Sequence, residues 1–471
     1  MGRTFGPEES QFDRGGGGMN DECRMSNDEL PDGWLRAPFS AVTVNPIQRV
    51  PSEKEEITYI DIGSVDRITK QVVEPQTMLG KDAPSRARKV IQTGDVLVST
   101  VRPNLNAVAL VESQYNGQFA STGFDVLRSP VVDPRWLFYS VRTPEFLDRM
   151  SELVQGALYP AVRSFDIRSF VIPIAPLAEQ KRIADKLEAV LGRVDACRAR
   201  LARVPALLKR FRQSVLAAAT SGKLTEEWRM SNGVSDEWES VTLGSLMDSK
   251  PRNGYSPKSV DFETPVRSLT LTATTSGKFR GEHSKFINEK IPHSSHLWLV
   301  PGDILIQRAN TIEYVGVSAI FDGPPGKFIY PDLMMKCRAN SRTTTGFLHL
   351  LLQSEPVRTY FRDNATGTAG NMPKINQGTV ISAPTVLPTL PEQQEIVRRV
   401  EDLFAFADRI EARLANAQKT VERLTPATLA KAFRGELVPQ DSSDEPAAAL
   451  LARLRTQPVA KPAKATRKTL K

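Results

Sequence analysis

"LAEQKRIADKLEAVLGRVDACRARLA", residues 177–202, returns as "LPEQQEIVRRVEDLFAFADRIEARLA", residues 390–415, at a constant offset of 213. Leu177, Glu179, Gln180, Ile183, Asp195, Arg200 and Leu201 meet identical residues, and the register runs without a gap to Gly222 and Leu224 against Gly435 and Leu437. A repeat of this length marks a duplicated architecture. In the first copy Ile183, Leu187, Val190, Val194, Cys197, Leu201, Val204, Leu208, Phe211 and Val215 recur in steps of four and three. In the second, Ile396, Val400, Leu403, Ala407, Ile410, Leu414, Ala417, Val421, Leu424 and Thr428 do the same. Heptads of this kind put a narrow apolar seam on a long helix, which must be buried against another such helix. At 1.5 Å per residue, about 40 residues span roughly 60 Å. Pro205 and Pro426 predict kinks or interruptions. Gly222 and Gly435 suit C-terminal caps.

Each helix follows about 150 residues of mixed α/β character. In the first segment "ITYIDIGSV", "GDVLVSTVRPN", "AVALVES" and "GFDVLRS" read as short strands bounded by turns, and "GDILIQRAN", "VGVSAIFDG" and "LMMKCRA" answer them in the second. Each segment opens near a tryptophan (Trp34, Trp238) and holds a Gly-Asp turn into a hydrophobic strand (Gly94-Asp95, Gly302-Asp303). Each then carries a helical stretch (Trp136 to Leu153, Phe347 to Asp363). The helices keep their residues between copies and the α/β segments do not. The chain therefore divides into a leader expected to be disordered (1–25), a first α/β domain (26–175), a first helical spacer (176–224), a linker (225–235), a second domain (236–387), a second spacer (388–437) and a flexible basic tail (438–471).

The chemistry is as informative for what is missing. The 471 residues are 40% hydrophobic and 25% charged, with a net charge of +8 that permits a polyanionic partner without requiring one. Ten Lys/Arg stand against three acids between Lys181 and Arg212. No run reaches the length of a membrane span, no apolar signal core opens the chain, and Cys23, Cys197 and Cys337 are too scattered for a disulfide framework or structural zinc; a cytoplasmic protein is expected. There is no G-x-x-x-x-G-K-[ST] phosphate loop; "SGKL" at 221–224 lacks both the upstream glycine and the hydroxyl after the lysine. No G-x-G-x-x-G loop and no Asn/Asp-Pro-Pro-aromatic tetrad occur, and His293-x-x-His296 lacks a third ligand at sensible spacing. Neither a catalytic residue nor a metal site is predicted.

Two variable α/β domains, each followed by a long helix with an L-x-E-Q-x-x-I approach and an S/R-G-x-L exit ("RQSVLAAATSGKLTEEW", "TPATLAKAFRGELV"), resemble the specificity subunit of Type I restriction–modification systems over roughly residues 26–440. The resemblance implies an α+β fold: two α/β target recognition domains separated by two long antiparallel coiled-coil helices, with an internal pseudo-two-fold repeat. It implies that each domain reads one half of a bipartite, asymmetric site on double-stranded DNA. It further implies docking of two modification subunits, which bind S-adenosylmethionine and methylate adenine at N6, and two restriction subunits, which use ATP and Mg for translocation and cleavage. On that reading the chain itself binds no cofactor and catalyses nothing.

Base edges are read by Arg, Lys, Asn and Gln on loops, while other basic residues track phosphates. The first domain offers Arg102, Asn104 and Asn106 after its central strand, Arg86, Arg88 and Lys89 upstream, and Tyr159 and Arg163 in "GALYPAVR". The second offers Gln307, Arg308, Asn310 and Tyr314, with Arg252, Asn253, Tyr255 and Lys258 in "KPRNGYSPKS" and Asn371 and Lys374 in "AGNMPKIN". "STVRPN" and "QRANT" are the preferred readers because they follow equivalent strands. Two other classes compete: a coiled-coil adaptor whose α/β domains bind proteins, and an enzyme whose active site carries no recognised motif.

Overall fold

The computed structural model describes residues 30–156, 158–367 and 372–456. The leader (1–25), Asn371 and the last part of the basic tail lie outside the described residues. The chain forms two compact units, one taking the residues up to Arg198 and from Lys419 onward, the other Ala199–Gln418. Both long helices, Leu177–Thr220 and Leu390–Phe433, contribute to each unit.

In the first unit, strand Val96–Ser99 is the centre of an antiparallel sheet with Val108–Leu110 and Phe124–Leu127. Its alternation explains why it reads as a continuous apolar run. Val96 and Val98 face a core that includes Trp136, Ile183 and Leu187, whereas Leu97 faces a second core of Ile60, Ala120 and Phe124. A second sheet has the order Gln76–Leu79, Glu56–Ile60, Phe119–Ser121, Ala87–Val90, its middle pair parallel. The second unit repeats the plan. Ile304–Gln307 pairs with Ser318–Ile320 and Met334–Cys337, with Ile304 and Ile306 facing one core and Leu305 the other. Its second sheet runs Ser259–Val260, Ser284–Ile287, Arg267–Leu269, Phe328–Ile329.

The Gly-Asp turns anchor these strands. Gly94 and Gly302 take φ of +86° and +88°, a conformation that glycine adopts without strain. Asp95 is buried and accepts both Nε and Nη2 of Arg128, at 2.7 and 2.6 Å. Asp303 is buried against Arg338 and, at 3.2 Å, Lys336. Each single helix expected after the sheet is two. The first breaks into Pro134–Ser140 and Pro144–Glu152, the second into Thr345–Gln353 and Glu355–Asp363. Thr143 and Ser354 stand in extended conformation before the new helices, which open with Pro144 and, one residue later, Pro356.

Glu-Gln at the start of each long helix fastens the domain to it. Each domain closes on itself by pairing its first and last strands, Leu35–Pro38 with Val171–Ile174 and Glu239–Thr242 with Pro384–Leu387. Trp34 Nε1 then donates to Glu179 at 2.8 Å and Trp238 Nε1 to Glu392 at 3.2 Å. Gln180 accepts from the backbone of Asp133 and donates to the Ala175 carbonyl, at 3.0 and 2.7 Å. Gln393 accepts from the backbone of Thr344 and donates to the Pro388 carbonyl, both at 3.0 Å. Asp133 and Thr344 are the N-caps of the helices that follow the central sheets, so each glutamine sets a helix start against the spacer.

The seam is buried in both units. Leu429, Ala432 and Phe433 near the end of the second long helix share a core with Ile183, Ala184 and Leu187 near the start of the first. Val215 and Ala219 near the end of the first share one with Ile396 and Val400 near the start of the second. The helices are antiparallel. Neither expected interruption occurs, since both helices are continuous through Pro205 and Pro426. Cys197 and Leu424 depart from the predicted seam and are exposed.

Residues read as linker and tail also fold. Glu226–Asn232 is a helix that buries Arg229, and Ala447–Thr456 is a helix whose Ala447 joins the first unit's core, Leu451 packing against it and Leu450 being buried. Arg182 grips Asp444 at 2.7 Å. Small apolar residues in "EPAAALLARL" are enough to dock a segment that composition alone presents as polar.

Candidate nucleic-acid interface

The preferred loops are laced to a second segment of their own domain in the same way. In the first, Arg102 N donates to the Pro160 carbonyl at 2.7 Å and Val162 N to the Thr100 carbonyl at 2.9 Å. In the second, Asn310 N donates to the Pro373 carbonyl at 3.3 Å and Ile375 N to the Arg308 carbonyl at 2.9 Å. Pro160 with Pro373 and Val162 with Ile375 keep the 213-residue offset of the helices. The lacing therefore aligns Arg102 with Asn310 and Thr100 with Arg308. It also brings Tyr159 and Arg163 beside the "STVRPN" loop, and Lys374 beside "QRANT".

The first loop is held in an uncommon shape. Arg102 and Asn106 take φ of +48° and +46° on either side of the turn Pro103–Leu105. Left-handed backbone is tolerable for asparagine and rare for arginine, and it persists where surrounding contacts over-determine it. Here Asn106 Nδ2 donates to the Val141 carbonyl at 2.8 Å, while Lys70 Nζ donates to the carbonyl and Oδ1 of Asn106 at 2.6 and 2.9 Å. Burial, then the neighbouring Arg142, pushes Lys70 down to about 8.

Three predicted readers are therefore internal supports. Asn106 is 8% exposed with its amide committed. Lys89 is buried on the edge strand Ala87–Val90, donating to the Phe124 carbonyl at 2.5 Å. Gln307 is fully buried; its Nε2 donates to the Leu271 carbonyl and Thr274 Oγ1 at 2.8 and 3.0 Å, and its Oε1 accepts from Asn310. Arg102, Asn104, Tyr159, Arg163 and Lys374 are exposed, Tyr159 at 86%. Arg308 and Asn310 are half-buried. Tyr314 lies on the turn beyond them, its backbone donating to the Thr311 carbonyl.

The segment holding Arg252, Asn253, Tyr255 and Lys258 comes to the same edge of the second domain. Arg252–Asn253 pairs with Met334–Cys337, and Tyr255 N donates to the Tyr330 carbonyl. Arg308 N in turn donates to the Leu333 carbonyl at 2.8 Å. Arg252, Tyr255 and Lys258 are exposed, and Asn253 is half-buried with an Oδ1 that has no partner among the described residues. Arg88 lies on strand Ala87–Val90 of the other sheet of the first domain, its Nε donating to the Ser85 carbonyl at 2.8 Å, and Arg86 comes just before that strand, its carbonyl accepting from Thr122 N.

Residues 235–418 match the family model of the Type I restriction modification DNA specificity domain. The chain is 31% identical over 456 residues to the Type I restriction enzyme EcoKI specificity subunit of Escherichia coli, across 92% of this chain and 97% of that protein. The chain belongs to the family of Type I restriction enzyme specificity subunits. The StySPI specificity subunit of Salmonella potsdam is 30% identical with the same coverage of both chains. A chain solved in a study of complex assembly and conformational transition of the type I R-M system superposes with a TM-score of 0.71 at 26% identity, covering 86% of this chain and 99% of that one. The HsdS subunit from Thermoanaerobacter tengcongensis gives 0.61 at 27%, covering 86% and 98%.

Within a specificity subunit of this family, exposed apolar side chains at the candidate interface escape a reading by residue type. Leu158 and Phe165 flank Tyr159 and Arg163 at 89% and 72% exposure, and Met372, at the position equivalent to Tyr159, is 46% exposed. The signal for them is the repeat itself. Its offset extends upstream of Leu177 through "YPAV" and "MPKI", where only the proline is identical. Among the described residues no helix is long and apolar enough to cross a membrane.

Proposed function

We propose that this chain is the DNA-reading subunit of a Type I restriction–modification complex and has no catalysis of its own. The first domain reads one half of a bipartite, asymmetric site on double-stranded DNA and the second reads the other. The observation that carries this reading is the matched lacing of two loops that place different side chains at equivalent positions, Arg102 in one domain where Asn310 stands in the other, and Thr100 where Arg308 stands. Arginine suits the O6/N7 edge of guanine and asparagine the N6/N7 edge of adenine, so the two halves differ in target. The duplicated Glu-Gln clasps and spacer helices support two modification subunits and, through them, two restriction subunits. Those partners supply S-adenosylmethionine, ATP and Mg; the chain binds none of them.

The test is methylation of cognate DNA by the assembled complex carrying Arg102→Ala or Asn310→Ala. Each change should lower affinity by about 1–3 kcal/mol and relax the sequence requirement in its own half alone. Unaltered methylation by both variants would remove these residues from the interface. Nuclease or methyltransferase activity in the purified chain would overturn the non-catalytic assignment.

A further inference from the structure

The repeat allows one cleft in the first unit to be compared with its counterpart in the second. The first, about 240 Å³, lies where Arg67 and Lys70 meet Arg142, the long-helix residues Asp195 and Arg198, and Thr425. The second includes Lys278, Asp408, Glu411 and Arg212. Across the offset Asp195 corresponds to Asp408, Arg198 to Glu411 and Thr425 to Arg212.

Their charges differ. In the second cleft Arg212 bonds Asp408 and Glu411 at 2.5 and 2.7 Å, and Lys278 reaches Asp408 at 2.7 Å. Its three cations (Arg212, Lys278, Arg280) face three carboxylates (Glu401, Asp408, Glu411), so that cleft is neutral by itself. In the first, four cations line the cleft with one carboxylate among the described residues, Asp195, which Arg198 already engages, while Asp66 acts on Lys70 from outside the lining. Among the described residues, neither Arg67, Lys70 nor Arg142 has a carboxylate within 4 Å, and the Arg142 guanidinium stacks over Phe138 and Tyr139, 4.8 and 5.5 Å from their ring centres. Arg142 is lowered by burial first, with Arg198 acting in the same direction. Clustered cations without counter-charge are costly in a partly desolvated cleft. The residue that would supply the counter-charge, by the symmetry of the fold, is an arginine here.

We propose that the first-unit cleft binds a phosphate-class oxyanion, which supplies the charge that Glu411 supplies in the second. Guanidinium forks match the oxygens of a phosphate group, and Lys70 adds a point charge from the side. The volume corresponds to about eight waters at ~30 Å³ each, room for a diphosphate. The group comes either from a free phosphate compound or from the backbone of bound DNA. Lys70 also holds Asn106 and thereby the Arg102 loop, so the anion would steady that loop from behind.

Calorimetric titration of the full chain with inorganic diphosphate tests this. Saturable binding is expected, weakened at least about tenfold by Arg142→Gln and by Arg198→Glu, which installs the second cleft's charge, and unchanged by Arg212→Gln. Melting without anion checks that each variant folds. In parallel, affinity for duplex of unrelated sequence is measured against salt. A slope reduced by about one in Arg142→Gln identifies a backbone phosphate as the source, even where free diphosphate does not bind. Diphosphate binding with an unchanged slope identifies a free anion. Diphosphate binding that ignores both cleft variants, or no binding together with an unchanged slope, overturns the proposal. No arm requires the two domains to read the sequence assigned to them.

Discussion

Glu179 and Glu392 occupy the same place in the repeat but meet different surroundings. Glu392 Oε1 accepts from Thr225 Oγ1 and Arg229 Nη1, both at 2.7 Å, and Oε2 accepts from Trp238 Nε1, so its charge is matched by a buried guanidinium. Among the described residues Glu179 keeps only Trp34 and its buried Oε1 has no partner, and the adjacent Arg182 is drawn to Asp444. Burial raises Glu179 above the ordinary carboxylate range. A raised folded-state value means that stability is greatest below the unfolded value of 4.5 and falls as pH rises through the folded one. Glu179→Gln, which still accepts from Trp34, should therefore melt higher than wild type at neutral pH and lose this dependence. Glu392→Gln should instead destabilise by about 3 kcal/mol, at the low end for breaking a buried pair because Asp236 still faces Arg229. Melting both variants from pH 4 to 8 separates the two; equal behaviour would contradict the asymmetry. The glutamates are plain in the sequence, but this difference depends on what the opposite position brings. Thr225 and Arg229 correspond to Val438 and Ser442, a contrast visible only once the linker and the tail are seen as equivalents.

Elements were easiest to foresee where local pattern and tertiary demand agree. The seam, the Gly-Asp turns and the buried strands around Leu97 and Leu305 follow from heptads, positive φ and unbroken apolar runs. Of the second sheets, Glu56–Ile60 overlaps the predicted stretch "ITYIDIGSV"; the other strands are two to four residues long, too short for periodicity to register. The terminal helix was hidden by composition, since the basic residues beyond it dominate the window. Leu450 on this helix is buried, 2% exposed, so Leu450→Ala should cost about 2–5 kcal/mol in chemical denaturation. Leu424, a heptad position that is 42% exposed, should lose no more than about 0.5 kcal/mol on the same change. Equal losses would mean that the heptad pattern, rather than the observed packing, governs the helix. Among candidate readers, residue type does not separate exposed side chains from buried ones. Asn106, Lys89 and Gln307 are as polar as Asn104 and Arg102, and only the fold turns them inward.

The whole molecule repeats one plan with unequal surfaces. What the copies share is what holds a domain to its helix: the strand closure, the tryptophan, the Glu-Gln clasp and the glycine exit. What they do not share is what each presents, including the laced loops and the charge of the clefts behind them. This division predicts that one domain can be exchanged without disturbing the other. The decisive experiment exchanges residues 236–387 for the corresponding domain of a relative and maps N6-methyladenine in the genome of cells that carry the altered gene and its modification subunits. One half of the methylated motif should change while the other half and the spacing between them stay as before. A motif that changes in both halves, or in neither, would contradict the assignment of one reader to each half.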